Sequence, residues 1–429
     1  MNSKYIFAIV TLLLLSSCET KNEQVTNSND YNNYLELAEN RTLQNAERSK
    51  DFWSGKYEES PNQFPFLSKI ASSYSHLFAA TGKIEYLKEA EANLIKVNEM
   101  TQYKSPGSLM SLANNYVSQH KFKEALEILT KAELIGDNRI DVQKMLFDVH
   151  LELGNDKMAK HYLEKIENMS DFDYLIRLAK WSDHEGNLDA AIKYLEKART
   201  IAESSKQKGI THWIYTNLAD FYGHAGRIKD SYQLYLKALE MDPNDAYSKR
   251  GIAWIAYSYE NNPDEALRIL NTITQTYHAP DYYLLKANIY EYKGDQQSKA
   301  EQLDLYKEAV KNESYGAMYN KYNVLLYTGE NENLDEAIEI AKIEIDHRPT
   351  ALSYDLLAWS YFKKGNIDAA LKITNLHVIG HTFEPMALYH SAEIYKAAGM
   401  VEKANNIKKE LEESSYELGP LVAEKVEKL

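Results

Sequence analysis

The chain has 429 residues, with 49 Lys and Arg against 63 Asp and Glu, a formal net charge of −14 and one cysteine, Cys18. An acidic balance spread along the whole length repels phosphate backbones and anionic membrane surfaces, so no nucleic acid and no direct membrane-surface contact are expected. A lone cysteine excludes disulfides within the chain and any cysteine-based metal cluster.

In chain order, Lys4 precedes an apolar run from Ile6 to Leu15. That run falls short of the roughly 20 apolar residues that span a bilayer, so it reads as a cleaved export signal. Leu15-Ser16-Ser17-Cys18 follows at its end, and these four residues resemble the lipobox of bacterial lipoproteins. The resemblance implies cleavage before Cys18 and acylation of that residue, so that membrane attachment is through the lipid anchor only. Glu19, rather than Asp, follows the cysteine, which points to an outer-membrane lipoprotein facing the periplasm or the cell surface. The reading is therefore a signal peptide over 1–17, a lipidated flexible tether over 18–33 and an N-terminal helical cap over 34–65. The tether is inferred from its polar, Asn-rich composition.

From about residue 66 the dominant feature is a repeat. A small residue recurs at Ala125, Ala159, Ala191, Ser231, Ala266, Ala337, Ala370 and Ala404, at intervals of 34, 32, 40, 35, 71, 33 and 34. The interval of 71 is two repeats, with a blurred one from Asp281 to about Asn312 turning at Gly294. Each small residue follows a turn such as Gly186-Asn187 or Gly365-Asn366 and opens a second apolar helix. Eight of the 17 glycines (Gly82, Gly154, Gly186, Gly226, Gly294, Gly329, Gly365 and Gly399) are expected to close first helices in the left-handed conformation. Pro106, Pro243, Pro280, Pro349 and Pro385 are expected to open the next pair, where a missing N–H costs nothing. Bulky residues such as Leu112, Tyr116, Leu126 and Leu129 recur at i, i+3, i+4 spacing and make one face of each helix apolar.

Leu109-x₂-Leu112-Ala113-x₂-Tyr116 with Ala125-x₃-Leu129-x₂-Ala132, and Tyr215-x₂-Leu218-Ala219-x₂-Tyr222 with Tyr235-x₂-Ala238, resemble the tetratricopeptide repeat family. The resemblance implies an all-α superhelical solenoid of about ten antiparallel helix pairs over 66–411, with a charged C-terminal helical cap or tail over 412–429. The register slips near Trp254 and again between Glu330 and Leu334. The style of repeats plus lipobox is that of tetratricopeptide lipoproteins from Bacteroidetes-type bacteria.

In that family the first helices line a concave groove. The corresponding positions here are Trp213, Trp254, Tyr257, Tyr319, Trp359, Phe362 and Tyr389 in the later repeats, and Lys144, Asp148, Arg177, Lys180, Asp183 and Asp220 in the earlier ones. The groove therefore reads as polar first and aromatic later. Thirteen of the 33 tyrosines fall between Tyr247 and Tyr327, about twice an even share, which reinforces the aromatic end. The family's carboxylate clamp uses Lys and Asn at fixed positions. Lys144 with Asp148, Arg177 with Lys180, and Asn217 with Asp220 break that pattern.

His377 and His381 stand four apart, with Glu384 and His390 beyond, a spacing that on one helix face suits zinc. Gly380 and Pro385 put the stretch in a turn instead. No His-Glu-x-x-His, Gly-x-Ser-x-Gly or phosphate-binding Gly-rich loop is present. No enzymatic activity, cofactor or metal is expected. The functional expectation is a non-catalytic, lipid-anchored scaffold or adaptor that binds a protein or peptide partner in its groove. The alternative is a nutrient-binding lipoprotein of the starch-utilisation type, which would hold a glycan or peptide on the groove aromatics.

Overall fold

The computed structural model describes residues 23–36 and 39–429, so the export signal and Cys18 lie outside the described residues. Ahead of the repeats come α1 (Ser28–Leu35) and α2 (Arg41–Glu59). Five antiparallel pairs follow: α3 (Phe64–Thr81) with α4 (Ile84–Met100), α5 (Pro106–Ser118) with α6 (Phe122–Ile135), α7 (Arg139–Glu152) with α8 (Asp156–Lys165), α9 (Phe172–His184) with α10 (Leu188–Ser205), and α11 (Lys208–His224) with α12 (Ile228–Met241). The next three are α13 (Ala246–Trp254) with α14 (Pro263–Ile273), α15 (Asp281–Tyr292) with α16 (Gln296–Ala309), and α17 (Asn320–Glu330) with α18 (Leu334–His347). Then come α19 (Ala351–Lys363) with α20 (Ile367–Ile373), and α21 (Pro385–Ala397) with α22 (Val401–Glu413). The short helices α23 (Ser415–Leu418) and α24 (Pro420–Glu427) end the chain. The ten expected pairs are all present. Among the described residues there is no strand beyond one isolated bridge, Ile379 to Thr382, and no helix long and apolar enough to cross a membrane.

Local chemistry accounts for each pair. In the pair of α5 and α6, Leu109, Leu112 and Ala113 of the first helix pack with Phe122, Ala125 and Leu129 of the second, and all are buried. Burying each leucine contributes roughly 1.5–3 kcal/mol. All eight recurring small residues are at most 2% exposed, so the helices close on them, and Ala125→Leu would overpack the seam at a cost of about 1–3 kcal/mol. The Gly-Asn turn has two parts. Gly186 (φ 77°) ends α9, and the Asn187 side chain then accepts a hydrogen bond from the Ala190 N–H at 3.0 Å to cap α10. Asn366 caps α20 in the same way.

Seven of the eight turn glycines have positive φ; Gly329 instead lies inside α17, which ends on left-handed Asn331. Asn331 and Asn333, both left-handed, absorb the slip between Glu330 and Leu334. The slip near Trp254 is a wide turn, Ile255–Tyr259, that prolongs α13 by an extra residue per turn. Pro106 and Pro385 open their helices and Pro280 caps α15, whereas Pro243 and Pro349 sit in the loops just ahead of α13 and α19.

The first helices of successive pairs touch one another, as in α5–α7, α7–α9, α11–α13 and α17–α19, while second helices approach less closely. The first helices therefore form the inner face. The array curls until one superhelical turn rests on the next. The turn of the first pair meets the loop ahead of the seventh, where the His278 N–H donates to the Thr81 carbonyl at 2.8 Å. The turn of the third pair meets the loop ahead of the ninth, where Arg348 Nη2 reaches Glu152 Oε2 at 2.5 Å. Phe383, ahead of the tenth pair, covers Gly186 of the fourth so closely that a Cβ would sit 2.7 Å from its ring. Tyr416, after the tenth pair, covers Gly223 of the fifth. Each contact joins pair n to the start of pair n+6, which sets about six pairs per turn. The inner face is thus a narrow interior rather than a broad cradle.

Residues 23–33, expected as a flexible tether, are ordered from Glu23 onward. Glu260 accepts from the Val25 and Thr26 N–H groups at 2.7 and 2.6 Å and from the Thr26 hydroxyl at 2.8 Å. Tyr31 donates to Glu265 at 2.6 Å. The polar composition that reads as a linker is what satisfies these partners on α14 and in the turn ahead of it.

Candidate binding surface

The inner faces of α5, α7 and α9 enclose an open cavity of about 460 Å³. Met110, Asn114 and Val117 line it from α5, Asp141, Met145 and Asp148 from α7, and Arg177 from α9. Arg177 is held on every side: Nε donates to the Lys144 carbonyl and Nη1 to the Asp173 carbonyl, both at 2.9 Å, and Nη2 pairs with Asp148 at 2.6 Å. Lys144 lies between Asp171 and Asp173 at 3.1 and 3.0 Å. These cations are spent on the array itself, which is the physical reason the carboxylate-clamp pattern is broken. What lines the groove is apolar Met and Val beside two carboxylates, Asp141 and Asp148, against the single cation Arg177.

Lys180 lies on the contact between superhelical turns. Its ammonium meets Glu152 Oε1 at 2.9 Å, opposite Arg348 on Oε2. Burial works against the Glu152 carboxylate, but the two cations outweigh it and hold its pKa below the ordinary range.

The aromatic positions fare differently. Trp213 is 39% exposed and packs edge-on with Phe172. Tyr257, Tyr319 and Tyr389 are 2%, 8% and 8% exposed and fill seams. Tyr319 packs edge-on against Tyr315, with ring centroids 5.0 Å apart. Trp359 stacks on His390 at 4.0 Å and on Phe362 at 5.2 Å, so these rings and Tyr389 form one packed cluster. Trp254 is covered by the C-terminal segment: its Nε1 donates to the Tyr416 carbonyl at 3.2 Å, and Gly419 lies against its ring. Asp220 accepts from the hydroxyls of Tyr235 and Tyr247, and burial raises its carboxyl above the usual range. The glycan-stacking alternative needs open ring faces, and Trp213 is the one position of the seven above a third exposed.

A second cavity, about 880 Å³, separates the superhelical turns between α9 and the loops ahead of α19 and α21. It gathers His184, His224, His377 and His381 with Asp183, Glu384 and Glu417. His377 stacks flat on Tyr354 at 3.9 Å, and His184 pairs with Asp156 at 3.2 Å. Among the described residues no group of three His, Asp or Glu is set to hold a metal ion. Burial raises the Asp183 and Glu417 carboxyls, with repulsion from Glu384 adding to it. His184 and His224 end α9 and α11, where an imidazolium favours the helix dipole.

The family model for the tetratricopeptide repeat matches residues 214–245, which are most of α11 and α12. Residues 214–245 are a tetratricopeptide repeat. The remaining pairs of the chain repeat the geometry of the matched one, and no catalytic family is indicated. None of the curated proteins compared matches the chain. Among solved structures, a human IFIT1 dimer with PPP-AAAA is 14% identical over 73% of this chain and 71% of that one, with a TM-score of 0.46. YrrB, described as a tetratricopeptide repeat protein with an unusual peptide-binding site, is 20% identical over 46% and 95%, with a TM-score of 0.28. A tetratricopeptide repeat protein from Parabacteroides merdae is 18% identical over 61% and 98%, with a TM-score of 0.35. Tetratricopeptide arrays are protein- or peptide-binding scaffolds as a class.

Three features escaped the sequence reading. Met110 and Met145 look like ordinary core residues in the periodicity. Glu260 and Glu265 look like solvated helix charges. Tyr416 sits in a charged C-terminal run, and its one signal is the Gly419-Pro420 break that turns the chain back.

Proposed function

We propose that the protein is a non-catalytic, lipid-anchored scaffold that holds an extended peptide or protein segment on the open inner face of α5, α7 and α9. The observation that supports this is the 460 Å³ groove itself, with Met110, Met145 and Val117 beside Asp141 and Asp148. Methionines adapt to varied apolar side chains, and the carboxylate excess favours basic ones. The partner segment is therefore one that alternates apolar and Lys or Arg residues. Selection from a displayed random-peptide library should enrich such sequences, and Met145→Asp should abolish their binding. Selected peptides that bind the Met145→Asp protein equally well would sink the reading.

The anchor is the other half of the proposal. Cys18 stands five residues before Glu23, so even a fully extended chain keeps it within about 18 Å of the docked strap. The strap grips α12 through Tyr232 and α14 through Glu265, which would turn the outer surface of those helices toward the membrane and leave the groove facing away. Labelled palmitate should be incorporated in cells and lost in Cys18→Ala. Membrane attachment of that variant without label would count against the anchor.

A further inference from the structure

The C-terminal segment does more than close the last pair. α24 packs on α22, as a cap would, but it also lies against α15, and the residues before it reach back to α11 and the wide turn that prolongs α13 on the neighbouring superhelical turn. Their recognition there is of a distinct kind. The Tyr416 carbonyl accepts from two side chains of the inner face, Trp254 Nε1 at 3.2 Å and Ser258 Oγ at 2.5 Å. Tyr416 lies in the last turn of the short α23, whose carbonyls have no partner within their own helix, so this one is free to be held by side chains of the neighbouring superhelical turn, as a peptide carbonyl would be. The Tyr416 ring enters a slot floored by Gly223, where any Cβ would stand 2.7 Å from the ring, and its hydroxyl lies beside Ser231 and near Asp220. Gly419, at φ 75° and ψ 163°, lets the backbone pass flat against Trp254; a Cβ there would come within 2.9 Å of the indole. The Tyr257 hydroxyl faces the Leu421 main chain at a geometry too loose for a full hydrogen bond.

We propose that the inner face of α11, α13 and α15 is a second peptide site, held shut by the chain's own Tyr416–Leu421 segment, and that it takes a partner segment carrying the same features: a tyrosine, two residues, a glycine-proline turn and an apolar residue. The tyrosine supplies the specific contact, since its ring fits where α11 lacks a side chain. The carbonyl contacts are indifferent to sequence. The partner displaces the resident segment, so binding at this face is gated by the tail while the open groove of α5, α7 and α9 is not.

The test uses the full chain with Tyr416→Ala and a fluorescent synthetic peptide of residues 414–429, read by anisotropy. The variant should bind that peptide at least tenfold more tightly than the wild-type chain, whose slot is filled. A peptide with alanine in place of the tyrosine should not bind, and adding Gly223→Leu should remove binding without changing the circular dichroism spectrum. A folded Tyr416→Ala chain that binds no better than wild type overturns the proposal and leaves the segment a fixed cap. Should the variant not fold, hydrogen exchange on the wild-type chain decides. Residues 414–421 exchanging at least tenfold faster than α22 supports a displaceable segment, and protection equal to α22 overturns it.

Discussion

The inner faces of α5–α9 and of α11–α15 are built from the same helix pair, yet one is open and the other is covered. On α5–α9 the inner positions carry no aromatic ring but a few Met and Val among polar and charged side chains, and charges pair within the array, as Arg177 does with Asp148. Such a surface is stable in water and can stay bare. On α11–α15 the inner positions are Trp254, Tyr257 and tyrosines around Asp220, whose apolar area stabilises by roughly 25 cal/mol per Å² once removed from water. With six pairs per superhelical turn, the chain leaving the tenth pair arrives under the fifth. The aromatic face is thus where the molecule's own tail is delivered. The difference teaches that a groove's chemistry and its position along the superhelix jointly decide whether it is vacant.

The sharpest way to break this contrast is Tyr416→Ala. It should cost about 3–4 kcal/mol, the lower part of the range for losing a packed aromatic ring. Hydrogen exchange should quicken in α11, α13 and α24 while α5–α9 stays unchanged, and acceleration spread evenly over both regions would deny that they are separate.

Next in size is Glu152→Gln, which leaves Lys180 and Arg348 facing each other without their carboxylate. A loss of about 1–2 kcal/mol is expected by urea unfolding at pH 7. Because the Glu152 pKa is lowered by folding, its contribution is complete above the ordinary glutamate range and disappears as pH falls through the lowered value. The gap between wild type and variant should therefore close in acid. A gap that persists unchanged at pH 3 would mean the loss is not ionic.

Met145→Ala should be milder, under about 1 kcal/mol, because the side chain is only half-buried at the mouth of the groove. Its peptide binding should nonetheless fall. That split of function from stability is what an open site predicts and a seam residue would not show.

The smallest effect is expected at Asp183. Its pKa is raised by burial, so the ionised form opposes folding, and stability is lost as pH rises from the ordinary aspartate range through the raised value. Asp183→Asn should raise the thermal midpoint at pH 7–8 and match wild type below the ordinary aspartate range, as followed by calorimetry across pH.

The sequence is legible wherever a residue's role is completed within one helix pair. Ala125, Ala191 and Ala370 announce close helix contact because the partner helix lies a few residues away. Gly154 and Gly186 announce helix ends for the same reason. Their second role is invisible in the sequence: the Pro349 carbonyl lies where a Cβ on Gly154 would be, and Phe383 does the same at Gly186. Both partners are nearly two hundred residues distant. The aromatic positions were legible as a chemical class, but their exposure was not, because Trp254 and Tyr257 are covered by a segment 160 residues away. Gly329 misled because Asn331 performs the left-handed step two residues later.

By itself, then, the sequence determined the repeating hairpin: helix lengths, turn glycines with their asparagine caps, and small residues in each seam. These follow from short-range sterics and hydrogen bonding that any local stretch must satisfy. The tertiary structure alone decided how far each pair rotates on the last. That small rotation, summed over six pairs, brings Glu152 to Arg348, lays Tyr416 over Gly223 and straps Thr26 to Glu260. No local pattern encodes such a sum, because it is set by the packing of every interface between neighbouring pairs.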